Sequence, residues 1–125
     1  MTTYFIIDGD DIGNKIIRRF IENDETGLRT VIGDLVSILQ DITHHLERLG
    51  CEVIYCAADG ITGKGERESI ELTANIIKEI GSPSYSFSMG VGDSIREAYL
   101  ALSYAKSIGK NKTVVYRGGE MQIYK

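Results

Sequence analysis

The sequence contains no tryptophan, one proline and two cysteines in 125 residues, and it lacks long apolar runs. No stretch approaches the roughly 18 apolar residues of a transmembrane helix, and the chain does not start with the charged and apolar regions of a secretion signal. Cys51 and Cys56 lie five positions apart in one predicted strand, so their side chains point to opposite faces and cannot bond to each other. We therefore expect no membrane association and a reduced, cytoplasmic protein.

Positive charge is also scarce, because 14 basic side chains stand against 18 acidic ones and leave a net charge of −4. Proteins that capture extended DNA or RNA need a basic face, so this class of function is excluded. The apolar fraction of 42% and the small net charge exclude a disordered chain, and the length predicts a single domain over residues 1–125. Glycine, in contrast, is abundant: its 14 residues exceed the average usage of roughly 7%, and many of them lie beside acidic residues.

The spacing of apolar residues predicts an α/β (α+β) fold in which helices and strands interleave around a mixed central sheet. The predicted strands are 4–8, 52–57, 61–64, 85–91, 113–116 and 121–124. The predicted helices are 12–21, 28–49, 66–80 and 95–108, with a loop over 22–27. The first strand lacks alternation, which indicates a central strand covered on both faces. The second and third strands form a hairpin through Ala58-Asp59-Gly60, since Asp-Gly tolerates the positive φ of such turns.

Two acidic positions stand at the ends of predicted elements. Asp8 closes the first strand and precedes a glycine-containing turn, Gly9 to Gly13, which opens a helix, and Asp59 lies at the tip of the hairpin. If the first strand pairs with a hairpin strand, both carboxylates converge at one edge of the sheet. Hard oxygen ligands of this kind suit Mg²⁺, and the N–H groups of the turn suit phosphates.

Each of these features alone has a structural explanation, because Asp often caps a helix and Asp-Gly often makes a hairpin turn. Their joint occurrence after two apolar strands favours a functional site. Asp8, Asp10 and Asp11 would also repel one another unless a cation or a helix N-terminus compensates. Lys106 and Lys110 lie four positions apart on one side of a predicted helix, where they either stabilise the helix dipole or act as counter-charges for a triphosphate.

Four motifs in this order resemble the GGDEF-type nucleotidyl cyclases and, more closely, the palm of CRISPR polymerases and the stand-alone minimal CRISPR polymerase domains. The motifs are Asp8-Gly9-Asp10-Asp11-Ile12-Gly13, Tyr55-Cys56-Ala57-Ala58-Asp59-Gly60-Ile61, Phe87-Ser88-Met89-Gly90-Val91, and Ala105-Lys106 through Asn111. The resemblance covers essentially the whole chain and implies a ferredoxin-like palm domain.

The resemblance also implies an activity: a nucleotidyltransferase that uses two Mg²⁺ (or Mn²⁺) ions to join nucleoside triphosphates into a cyclic oligonucleotide messenger of prokaryotic antiviral defence. It implies that Asp8 and Asp59 are the catalytic, metal-binding carboxylates and that the Gly9 carbonyl is a third ligand. The implied nucleotide-binding residues are Gly9, Asp10, Asp11, Ile12, Gly13, Lys106 and Lys110, with the amides of 10–13 holding phosphates and the lysines neutralising the triphosphate. A separate receptor would read the product. Because one small palm offers one donor site, we also expect a homodimer.

The sequence departs from the cyclase signature in its hairpin, where Ala57-Ala58 replaces Gly-Gly and Gly60 replaces the second acidic residue. Ile16 stands where those cyclases have a guanine-reading Asn, which favours ATP over GTP. The altered signature leaves open a non-catalytic palm that binds a nucleotide as a regulatory module. A phosphatase of the haloacid dehalogenase type is disfavoured, because Ile12 stands where that family needs a hydroxyl residue.

Overall fold

The computed structural model describes residues 2–57, 59–80 and 84–124. The strands are β1 Thr3–Gly9, β2 Glu52–Ala57, β3 Gly60–Gly65, β4 Phe87–Gly92, β5 Thr113–Arg117 and β6 Glu120–Tyr124. The helices are α1 Ile12–Ile21, α2 Glu25–Arg48, α3 Arg67–Ile80 and α4 Ile95–Ser107. The predicted order of helices and strands is confirmed.

The strands form one mixed sheet in the order β2-β3-β1-β4-β5-β6. β4 and β5 run parallel, and the other neighbouring strands run antiparallel. β1 therefore lies inside the sheet, between the hairpin strand β3 and the strand β4. The prediction of a central first strand is confirmed, and this position brings its carboxyl end beside both neighbours.

The two faces of the sheet are covered to different extents. Phe5 and Ile7 are fully buried in the large core formed with α1, α2 and α3, whereas Asp8, on the opposite face of β1, is only partly buried. α4 packs on that second face at Gly90, where an added Cβ would lie 2.1 Å from the carbonyl oxygen of Ala98. Glycine at this position lets the helix approach the sheet backbone closely, and the partial cover leaves the end of β1 accessible.

The predicted loop over 22–27 is confirmed for 22–24 and wrong for 25–27, because α2 begins at Glu25. The side chain of Asp24 accepts a hydrogen bond of 2.9 Å from the Gly27 amide and thereby caps the helix. An Asp at the N-cap satisfies one of the free amides of the first turn, so a polar stretch can begin a helix without apolar residues. The connection between α1 and α2 is correspondingly short.

The placement of Lys106 and Lys110 on one helix side was also wrong. α4 ends at Ser107, and Gly109 has a φ of +122°. Lys110 follows with a φ of +63°, in the left-handed region, so it lies in the loop after the helix. Only Lys106 projects from the helix itself.

Three other predictions concern cysteines and chain segments. Cys51 lies just before β2 and Cys56 lies within it, so the prediction that both share one strand was wrong; both are free thiols, Cys51 buried and Cys56 exposed. Among the helices of residues 2–57, 59–80 and 84–124, none is long and apolar enough to cross a membrane. Ala58 of the predicted hairpin turn lies outside the described residues.

Candidate functional site

The carboxyl end of β1 and the β2–β3 turn lie side by side. Asp8 pairs with Gly60 in the antiparallel ladder between β1 and β3. One step further along the chain, the Gly9 amide donates a hydrogen bond of 2.8 Å to the carbonyl oxygen of Asp59. The structure therefore brings Asp8, Gly9 and Asp59 together at one edge of the sheet.

Glycine permits this close approach. At Gly60, an added Cβ would lie 2.6 Å from the carbonyl oxygen of Ile7, a backbone atom that cannot move without disturbing β1. At Gly9, an added Cβ would lie 2.5 Å from Cγ1 of Ile12 and 3.4 Å from the Asp59 carbonyl oxygen. The acid–glycine neighbours noted in the sequence thus have a steric reason at these two positions.

The electrostatic environment of Asp8 disfavours its negative charge. Burial raises the pKa of the Asp8 carboxyl above its ordinary value, against the opposing effect of the Lys106 ammonium. The charges of Asp59 and Asp10 raise this pKa further. Nearby carboxylates repel one another, so the site gains stability from additional positive charge.

Asp10 lies in a different environment, because its side chain is only 4% exposed and its carboxylate is surrounded by donors. Ser86 Oγ and Ser88 Oγ each donate at 2.7 Å, and the Asn111 amide donates at 2.9 Å. Lys106 Nζ donates at 2.8 Å. Burial alone would raise the pKa of Asp10, but the hydrogen bonds from Lys106, Ser86 and Ser88 hold it below its ordinary value.

These contacts give Asp10 a role that the resemblance did not imply. Its carboxylate joins the β1–α1 corner, which comprises residues 8–11, to the start of β4 and to the loop after α4. Its amide donates to the Ser86 carbonyl oxygen at 2.9 Å, so this amide is engaged within the protein. Among the amides expected to hold phosphates, those of 11–13 therefore remain the candidates.

The two lysines contact different parts of the corner. Lys106 Nζ lies 3.1 Å from Asp8 Oδ2 and donates to the Gly9 carbonyl oxygen at 3.0 Å. Lys110 Nζ donates to Asp11 Oδ1 in a short hydrogen bond at the surface, which raises the pKa of Lys110. Both cations reach the acidic corner although they do not share a helix side.

The first turn of α1 begins after Asp11 without a side-chain cap. Asp11 is the N-cap with a φ of +58°, but its side chain makes no cap hydrogen bond to the helix. The first amides of an α-helix have no partners within the helix, so those of Ile12 and Gly13 are suited to donate hydrogen bonds to an anion such as phosphate. An added Cβ at Gly13 would meet nothing within 4 Å, which places this residue at an open surface.

Sequence reasoning missed three residues of this arrangement: Ser86, Ser88 and Asn111. The alternation of small and large residues along 85–91 indicates a strand face that something packs against, but the pattern does not say what. The partner is Asp10, which is 76 to 101 positions away along the chain. A buried carboxylate needs several donors, and only the folded chain shows which residues supply them.

The oxygen atoms at this edge fit a divalent cation such as Mg²⁺. Asp8, Asp59 and the Gly9 carbonyl offer hard ligands, and Mg²⁺ typically takes one or two carboxylates with phosphate and water in its remaining positions. Within the part of the chain that the structure describes, no three His, Cys, Asp or Glu side chains group as a metal site, so an ion here would depend on backbone and non-protein oxygens. The Lys106 ammonium bonds to Asp8 and Gly9, which shows that this position attracts a cation.

The chain also resembles known proteins in sequence and in fold. Residues 4–116 match the family described as mCpol, the minimal CRISPR polymerase domain. No curated protein matches the sequence. The fold is similar to a chain of the crystal structure of the Csm1-Csm4 cassette in complex with cA4, with a TM-score of 0.73 and 17% identity. That match covers 93% of this chain and 21% of the other, so the present chain spans about a fifth of its length.

Two further structures are cyclase domains. A diguanylate cyclase/phosphodiesterase from Caldicellulosiruptor saccharolyticus has a TM-score of 0.64 and 18% identity, and the match covers 97% of this chain and 79% of that one. The GGEEF domain of a diguanylate cyclase from Vibrio cholerae has a TM-score of 0.64 and 14% identity, and the match covers 93% of this chain and 83% of that one. These likenesses confirm the predicted palm fold, and the match over 4–116 shows that the chain belongs to the minimal CRISPR polymerase domain family.

Proposed function

We propose that this chain is a Mg²⁺-dependent nucleotidyltransferase that joins ATP into a cyclic oligonucleotide messenger. The observation that supports this most is the convergence of Asp8 and Asp59 through the β1–β3 ladder, beside a lysine-bearing corner and the open first turn of α1. Carboxylates, a backbone carbonyl, amides and cations are the groups that phosphoryl transfer requires, since it depends on positioning and charge neutralisation.

The reaction forms a bond between a ribose hydroxyl oxygen and an α-phosphorus, breaks the bond from that phosphorus to pyrophosphate, and releases the hydroxyl proton. Divalent cations held by Asp8, Asp59 and the Gly9 carbonyl would supply acidity for the hydroxyl and charge neutralisation for the leaving group. The amides of Ile12 and Gly13 orient the phosphates, and Lys106 with Lys110 neutralises the triphosphate. No protein nucleophile is required by this scheme.

ATP is the proposed substrate because of Ile16. In the structure Ile16 packs, partly buried, against the hydrophobic core. Its side chain has no hydrogen-bonding group, so it cannot read the edge of a guanine. The relatives support the same class of product: the similar Csm1-Csm4 cassette is a complex with cA4. By that likeness we propose a role in antiviral defence, with a separate receptor that reads the product.

The test is product formation. Purified protein is incubated with each nucleoside triphosphate and Mg²⁺ or Mn²⁺, pyrophosphate release is followed, and the product is identified by mass spectrometry. We expect a cyclic product from ATP, and a loss of at least about 100-fold in Asp8→Asn and in Asp59→Asn. The exposed Asp41→Asn on α2 is the matched control and keeps full activity. Absence of any product would contradict the proposal, and metal-dependent ATP binding without pyrophosphate release would instead establish the non-catalytic, regulatory palm.

We also propose that the active form is a homodimer. The site is open: the side chains of Asp8 and Asp11 are 34% and 50% exposed. These carboxylates do not lie in the groove of about 840 Å³ between α2 and α3, which is lined by other residues. An open site with one acidic pair suits a second copy that presents its own nucleotide as the other reactant. Sedimentation of the protein with ATP and Mg²⁺ tests this, and a monomer that makes the cyclic product would contradict it.

A further inference from the structure

Lys106 extends from the last turn of α4 into the β1–α1 corner and makes contacts that differ in kind. Its Nζ lies 2.8 Å from Asp10 Oδ1, within the buried hydrogen-bond network. The same Nζ lies 3.1 Å from Asp8 Oδ2, 3.0 Å from the Gly9 carbonyl oxygen and 3.4 Å from the Asp8 carbonyl oxygen. Lys106 thus bonds to one structural carboxylate and to two groups of the proposed metal site.

An ammonium and a divalent cation compete for these oxygen atoms, because each is stabilised by the same negative and partly negative groups. Two carboxylates, those of Asp8 and Asp10, share the single positive charge of Lys106, so the charge of Asp8 is only partly compensated. Removal of Lys106 would leave these oxygens with more unbalanced negative charge. The corner would then bind a divalent cation more tightly.

We propose that Lys106 is the resident cation of the nucleotide-free site, and that it leaves Asp8 and the Gly9 carbonyl when a metal ion binds. This inference rests on the proposed function, since it assigns the exchange to the same metal site. Lys106 keeps its bond to Asp10 during the exchange and turns towards the triphosphate. Metal binding and nucleotide binding are therefore coupled, because the triphosphate offers the displaced ammonium a new partner.

Asp10 keeps its position while the Lys106 side chain moves. It is 4% exposed and accepts hydrogen bonds from Ser86, Ser88 and the Asn111 amide, so it cannot follow Lys106. The Lys106 side chain is 24% exposed and has a flexible stem, which allows its ammonium to pivot about Asp10. Lys110 differs because it pairs with the exposed Asp11 and makes no contact with Asp8 or Gly9 within the described residues.

The experiment measures Mn²⁺ binding without nucleotide by the electron paramagnetic resonance signal of free Mn²⁺. Lys106→Gln removes the charge while its amide can still donate to Asp10, and Lys110→Gln is the matched control. We expect Lys106→Gln to bind Mn²⁺ about tenfold more tightly than the natural sequence, and Lys110→Gln to differ by less than about threefold. Lys106→Arg keeps the charge and is expected to bind like the natural sequence.

Asp8→Asn distinguishes a failure of this proposal from a failure of the proposed function. If Asp8→Asn abolishes Mn²⁺ binding but Lys106→Gln does not tighten it, the displacement is overturned and the metal site of the proposed function stands. If Asp8→Asn binds Mn²⁺ as tightly as the natural sequence, the proposed metal site is wrong, and so is the proposed displacement of Lys106.

A second measurement uses the natural sequence and does not depend on the folding of a variant. Acylation of lysine amines by an amine-reactive reagent is followed by mass spectrometry with and without Mg²⁺. We expect the acylation of Lys106 to increase with Mg²⁺, because the ammonium is freed from Asp8 and Gly9, while that of Lys110 stays constant. An unchanged or decreased acylation of Lys106 would overturn the proposal.

Discussion

The two acidic loops that form the site are held in different ways. In the β1–α1 corner, Asp10 is buried and accepts hydrogen bonds from Ser86, Ser88, Lys106 and the Asn111 amide. At the β2–β3 turn, the contact that the described residues make with the corner is a main-chain one, from the Gly9 amide to the carbonyl of residue 59. A buried carboxylate therefore holds the corner in place, whereas main-chain contacts hold the turn beside β1.

This difference separates stability from function among neighbouring aspartates. Asp10 has a lowered pKa because its hydrogen bonds outweigh the effect of burial, so its charge stabilises the fold. Asp8 has a raised pKa because burial and like charges outweigh the effect of Lys106, so its negative charge destabilises the fold. Perturbed carboxylates of the second kind are typical of sites that await a ligand. Two pairs of substitutions and one single substitution test the comparison.

The largest expected effect is the loss of the Asp10 charge. In Asp10→Asn an NH₂ group would face the donors that now point at Asp10, and Lys106 would lose its buried partner. We expect the free energy of unfolding, measured with urea, to fall by about 3 kcal/mol. The control is Asp11→Asn, which is exposed and keeps the tolerance of a positive φ, and it should change stability by less than about 0.5 kcal/mol. Equal losses of stability in the two variants would contradict the structural role of Asp10.

The next effect concerns the close approach of the turn to β1. In Gly60→Ala the new methyl group would lie 2.6 Å from the Ile7 carbonyl oxygen, so the β1–β3 ladder must shift. We expect a loss of about 2 kcal/mol in the free energy of unfolding. The matched Gly33→Ala, in the middle of α2 with nothing within 4 Å, should instead gain up to about 1 kcal/mol. Thermal unfolding of both variants checks the signs, and a neutral Gly60→Ala would show that the turn is not held against β1.

The smallest effect is the pH dependence of Asp8→Asn in metal-free buffer. An acid with a raised pKa holds its proton more tightly when folded, so the stability of the protein falls as pH rises from the ordinary Asp pKa, about 4, through the folded pKa. The amide carries no such penalty. We expect Asp8→Asn to be more stable than the natural sequence at neutral pH, with the difference shrinking as pH is lowered. Urea unfolding across this range gives the answer, and a destabilised Asp8→Asn at pH 7 would contradict it.

The sequence predicted the proximity of Asp8 and Asp59, because each is marked by local features. Asp8 ends an apolar strand, and Asp59 stands in an Asp-Gly turn between two strands. The start of α2 was missed, although Asp24 followed by Glu25 is itself a local capping signal. The end of α4 was predicted to within one residue, but Lys110 was placed on the helix because helical spacing alone does not show that the chain turns away at Gly109.

What the sequence determined by itself is the order of elements, the central first strand and the acidic residues at the ends of two strands, since periodicity and turn chemistry act over a few residues. Only the tertiary structure decided which aspartate is structural. The donors to Asp10 come from positions 86, 88, 106 and 111, and no local pattern links them to residue 10. Burial then makes those distant hydrogen bonds obligatory, because a carboxylate removed from water must be fully paired.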